Sequence, residues 1–141
     1  LASPRRAVDG LEPGRTALLL AVLEKRAGLR LFDKDVYVNV AGGLSLCEPA
    51  SDLPLCAAVA SSLSNTPLPG DAVIFGEVGL AGEVRAVRHA ARRVAEAARL
   101  GFTRCVLPRE NLHGLAQPPG MTLLGVQTVS QAIALLLAKE A

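Results

Sequence analysis

Cys47-Glu48-Pro49-Ala50-Ser51-Asp52-Leu53-Pro54 is the stretch at which extended chain gives way to a small-residue-rich apolar helix. Proline is tolerated in a first helical turn, and serine and aspartate favour the N-cap. Ser51 or Asp52 is therefore expected to cap a helix running through Cys56 to about Ser64. Upstream, Val36-Tyr37-Val38-Asn39-Val40 alternates as a strand does, and Gly42-Gly43 turns the chain into the corner. A strand-to-helix corner presents backbone N–H groups and the positive end of the helix dipole, a setting in which enzymes hold a nucleophile.

Outward from this corner the pattern is regular. Residues 1–14 are aperiodic and contain Pro, Gly and Arg, as expected of a linker or arm packed on a domain that fills residues 15–141. Residues 15–27 read as a buried helix, with Thr16 as N-cap and Gly28 ending it. Residues 72–75 read as a buried strand, and 76–87 as a glycine-spaced hairpin. No helix follows its first glycine and no G-K-[ST] closes it, so it is not a nucleotide loop. A third helix is expected over 89–100, strands over 104–108 and 121–126, and a last helix opened by the capping box Thr128–Gln131. The order α-β-α-β-β-α-β-β-α predicts an α+β domain of two layers.

Composition narrows the function. Of 141 residues half are hydrophobic and a fifth charged, which describes one soluble globular domain. Aromatic residues make up only 3%, which argues against recognition by base stacking. The net charge of +2 dictates no partner, and the basic residues are nearly all arginine; lysine occurs only at 25, 34 and 139. Cys47, Cys56 and Cys105 form no C-x-x-C pair and are expected to be reduced, buried thiols of a cytoplasmic protein. No apolar run is long enough to span a membrane and no signal peptide is present. A start at Leu1 rather than methionine is expected of an excised domain or a processed fragment.

The segment Phe75-Gly76-Glu77-Val78-Gly79-Leu80-Ala81-Gly82-Glu83-Val84-Arg85 resembles the G-E-[IV]-x-L-x-G-x-[IV] hairpin of Lon-type proteolytic domains. Pro49-Ala50-Ser51-Asp52 stands where those domains carry their G-P-S-A-G nucleophile turn, and Val106-Leu107-Pro108-Arg109-Glu110-Asn111 is similar to their P-x-x-N segment. Together with Val36–Gly43 and Glu48–Leu53, these segments look like the C-terminal domain of the RadA (Sms) family of bacterial DNA repair proteins. That resemblance implies a Lon proteolytic-domain-like fold within a larger, ring-shaped, hexameric ATPase of recombination and branch migration. ATP, Mg and Zn are implied for that parent protein, and no cofactor or metal for this domain.

A Lon-type site needs a serine hydroxyl and a lysine amine able to lose its proton. The resemblance puts the serine position at Ala50 and the lysine position at Ala91, so both functional groups are missing. Ser51 lies about 100° further round the helix, and no lysine occurs between Lys34 and Lys139. Arginine stays protonated and cannot replace it. A pairing of His89 with Cys56 or Cys105 has no support in spacing, and His113 reads as a turn residue. Asp52, Glu77 and Glu83 would hold a metal only if folding converged them. The domain is read as catalytically silent.

What remains is binding. Arg85, Arg88, Arg92, Arg93, Arg99 and Arg104 crowd one interval against the single acid Glu96, with Arg88, Arg92 and Arg99 spaced for one helical stripe. This suits sequence-independent contact with DNA phosphates, against a plain solvated face in which Glu96 partly neutralises Arg92. Self-association in a ring is the other expected role. Two alternatives stand beside this reading: an active Lon-type serine peptidase, and the Lon-like domain of a magnesium-chelatase-like competence protein, which Asp52-Leu53-Pro54 also fits.

Overall fold

The computed structural model describes residues 3–138. Leu1 and Ala2 of the expected arm, and Lys139 near the end of the expected domain, lie outside the described residues. Three parallel strands form the centre: β3 (Ala72–Ile74), β6 (Arg104–Pro108) and β7 (Thr122–Val126), in the order β3-β6-β7. Their side chains sort to two faces. Val73, Phe75, Cys105, Leu107 and Leu123 pack with Val94 and Ala97 of helix α3 (Ala90–Arg99). Ile74, Val106, Leu124 and Val126 join the larger cluster built by α1 (Pro13–Ala27), α2 (Asp52–Ser64) and α4 (Val129–Leu136). The sheet is thus covered on both faces, which corrects the two-layer expectation. Parallel strands buried on both sides read as continuous apolar runs, as residues 72–75 and 105–107 do.

The N-terminal arm also departs from expectation. Arg6–Asp9 forms strand β1, paired in parallel with β2 (Val36–Asn39), in register Arg6 to Val36 through Asp9 to Asn39. Ala7 and Val8 between Arg6 and Asp9 give no periodic signal; pairing with β2 makes the strand. Helix α1 begins at Pro13, ahead of the expected start, because the Glu12 carboxylate accepts from the Gly14 and Arg15 N–H groups at 2.9 and 2.6 Å. Thr16 lies inside the helix, its hydroxyl donating to the Glu12 carbonyl at 3.0 Å. At its other end the N–H of Gly28, left-handed at φ 69°, donates to the Leu23 carbonyl.

The hairpin forms as read, from β4 (Glu77–Val78) and β5 (Val84–Arg85) in antiparallel pairing. Gly82 turns it with φ 82°, and an added Cβ there would stand 2.9 Å from Arg26 Cβ, so the turn lies directly on α1. Thr128 caps α4 as expected, its Oγ1 accepting from Gln131 N–H at 3.1 Å. Gln131 Oε1, however, accepts from the N–H of Gln127, the residue before the cap, at 2.8 Å, so the reciprocal bond of the expected capping box is displaced by one residue.

Candidate functional site

The corner is a short 3-10 turn, Pro49–Ser51, that runs straight into α2. Ser51 already has helical backbone angles and makes no cap; its hydroxyl donates to the Glu48 carbonyl at 2.6 Å. Asp52 does not cap either, which corrects both expectations. Its carboxylate is 3% exposed as a residue and turns inward, accepting from Val78 N–H at 3.0 Å and from Arg15 Nε at 3.2 Å, with a further bond from Arg15 Nη2. Arg15 Nη2 also donates to the Val78 carbonyl at 2.9 Å. The backbone completes the junction: Gly76 N–H donates to the Ala50 carbonyl at 2.9 Å, and Leu53 N–H to the Gly76 carbonyl at 3.0 Å. The helix entry and the hairpin are thereby locked together, and the Asp52 contact holds the Arg15 pKa above its ordinary value.

Ala50 is buried at 5% exposure and forms part of the wall of a cavity of about 570 Å³, with Glu48, Glu77, Arg88 and His89 around it. Ala91 sits at the second position of α3, exposed, and is not among the residues lining that cavity. The α3 residue that reaches the corner is Arg93. Its Nη2 donates to Glu48 Oε2 at 2.7 Å, its Nε donates to the Arg88 carbonyl at 3.0 Å, and its Cζ lies 5.8 Å from the Phe75 ring centre.

The arginine cluster resolves into engaged and available members. Arg93 is held by Glu48, Arg99 by Glu96 through Nε at 2.9 Å, and Arg85 by Glu83 at 3.0 Å. Glu96 therefore pairs with Arg99 rather than with Arg92, against the expected neutralisation. Arg104 is bound to Asp71 through Nε at 2.9 Å. Arg88 and Arg92 are exposed and make no salt bridge among the described residues. They do not share a helix: Arg88 precedes the left-handed His89 (φ 62°), and α3 starts at Ala90, so the expected stripe is broken at its first member.

The remaining candidates separate. Cys56 and Cys105 are buried, and burial pushes both thiols up to about 12. Cys47 is exposed, a correction to the expectation of three buried thiols. His89 and His113 are exposed. Asp52 and Glu83 are taken by arginines, and no group of three potential metal ligands converges among the described residues. No helix among them is long and apolar enough to cross a membrane.

Reading residues singly missed three of these relationships: Arg15 with Asp52, Glu48 with Arg93, and Asn111 with the backbone of Val87, which it meets through both amide atoms at 3.0 Å. For the first, the sequence signal was an aspartate set at the start of an apolar helix, since burial there demands a partner.

The chain belongs to the family described as subunit ChlI of Mg-chelatase, whose family model matches residues 17–111. It is homologous to bacterial proteins named DNA repair protein RadA. The relative from Escherichia coli is 49% identical over 133 residues, covering 94% of this chain and 29% of that protein. Those from Bacillus subtilis and Mycobacterium tuberculosis are 49% and 47% identical, each across 93% of this chain and 29% and 27% of their own lengths. The chain thus spans less than a third of the relatives it matches.

Proposed function

We propose that this is the catalytically silent, Lon-like C-terminal domain of a RadA-type DNA repair ATPase, serving as a DNA-contacting surface and a ring-assembly scaffold. The observation that carries the DNA reading is the pair Arg88 and Arg92, exposed and without a salt bridge among the described residues, while Arg85, Arg93 and Arg99 are engaged. Guanidinium groups in water bind phosphate without reading bases, as a motor moving along DNA requires. Silence is supported by Ala50 and Ala91, one a methyl in a cavity wall and the other on the surface. In this reading the parent is cytoplasmic, takes ATP and Mg at its motor and Zn at its N-terminal motif, and closes into a hexamer.

The ChlI match keeps the magnesium-chelatase-like competence proteins as a second reading, while the RadA relatives favour the first. The order of domains separates them: a motor domain before this one supports RadA, one after it the alternative. A mobility shift of duplex DNA with Arg88→Ala/Arg92→Ala tests the DNA surface. Light scattering of the full-length protein tests the ring, and a strict monomer at high micromolar concentration removes that role.

A further inference from the structure

We infer that Arg109 is a further phosphate contact of this surface, and that Asn111 is the positioning residue joining its two basic segments; the inference rests on the DNA-binding reading above. The 3-10 turn Arg109–Leu112 is mounted from two sides. Beneath it lies Gly125 of β7, where an added Cβ would stand 2.5 Å from Leu112 Cδ1 and 3.1 Å from Arg109 Cα, so glycine lets the turn seat this closely without displacing Leu112 or the Arg109 backbone. Beside it, Asn111 Oδ1 accepts from Val87 N–H and Asn111 Nδ2 donates to the Val87 carbonyl, both at 3.0 Å. One side chain thus ties the residue before Arg88 to the turn that carries Arg109. Arg109 is exposed and makes no salt bridge among the described residues. Arg85, Arg109, Glu83 and Glu110 line one cavity of about 370 Å³; Arg85 is bonded to Glu83, and of the two charges that remain Arg109 is the one that can take a phosphate. A guanidinium on a fixed turn loses less freedom on binding phosphate than one on a mobile loop.

The test measures anisotropy of labelled duplex DNA with the full-length protein across a salt series, together with thermal melting. Arg109→Ala is expected to weaken binding about 3- to 10-fold at low salt and to lower the log–log salt slope by about one, while Arg109→Lys keeps the slope. Asn111→Ala keeps every arginine yet is expected to weaken binding, and removing Arg109 in that background should cost less than in the wild type. Wild-type affinity and slope in Arg109→Ala overturn the inference if Arg88→Ala/Arg92→Ala still weakens binding; if that pair also has no effect, the DNA reading itself fails. Full, undiminished cost of Arg109→Ala in the Asn111→Ala background overturns the positioning role. Should Asn111→Ala fail to melt cooperatively, the Arg109 variants decide alone.

Discussion

Arg15 and Asp52, 37 positions apart, form a two-pronged ion pair that joins the start of α1 to the start of α2, and both also bond the backbone of Val78. The two partners are unequal: the Asp52 side chain is 4% exposed and that of Arg15 38%. Removing the arginine strands a buried carboxylate, whereas removing the aspartate leaves a guanidinium that reaches water. Arg15→Ala is therefore expected to destabilise by about 3 kcal/mol and Asp52→Ala by about 2 kcal/mol. Urea unfolding of both variants checks the order; a larger loss for Asp52→Ala would contradict it.

Placing a serine at Ala50 and a lysine at Ala91 should not create a peptidase. Ala91 is exposed, so a lysine there keeps its hydration and its proton and cannot act as a base at neutral pH. Ala50→Ser with Ala91→Lys is expected to release no product from a fluorogenic peptide above the wild-type background. Turnover by the double variant would place the base position correctly and show that the site needs only its two side chains.

Thiol labelling separates the cysteines. Cys56 and Cys105 are buried with thiols raised to about 12, so they stay protonated and shielded in the native state. Ellman's reagent at pH 8 is expected to titrate one thiol quickly in the folded protein's domain, lost in Cys47→Ser, and all three only after denaturation. Rapid labelling of a second native thiol would contradict this burial.

Acid stability should depend on Asp71. Its carboxylate accepts from Arg104 Nε and from the Thr103 hydroxyl at 2.7 Å, and Arg104 holds its pKa well below the usual carboxylate range. A carboxylate depressed on folding stabilises the native state above its unfolded pKa, and that contribution fades as pH falls toward the folded value. The stability gap between wild type and Asp71→Asn should be constant above about pH 5 and shrink below it. A gap that widens on acidification has the wrong sign.

Elements whose pattern is local were legible in the sequence. The apolar runs at 72–75 and 105–107, the glycine hairpin and the Thr128 N-cap all form where composition and spacing place them. Strand β1 was not legible, because Arg6–Asp9 becomes a strand only by lying against β2. The corner's location was legible but its wiring was not: Ser51 and Asp52 suit an N-cap, yet the turn before them is already helical and frees both side chains for other partners. The arginines show the same limit. Spacing puts Arg92 next to Glu96, but Glu96 takes Arg99, and Glu48 takes Arg93 from 45 positions away.

The proposed function stands on contact of Arg88 and Arg92 with DNA phosphates. Anisotropy of a labelled duplex across a salt series, with wild type and Arg88→Ala/Arg92→Ala compared in the full-length protein, tests it most directly. Loss of two phosphate contacts predicts weaker binding at every salt concentration and a log–log slope shallower by about 2. Identical affinity and slope in the two proteins would contradict it.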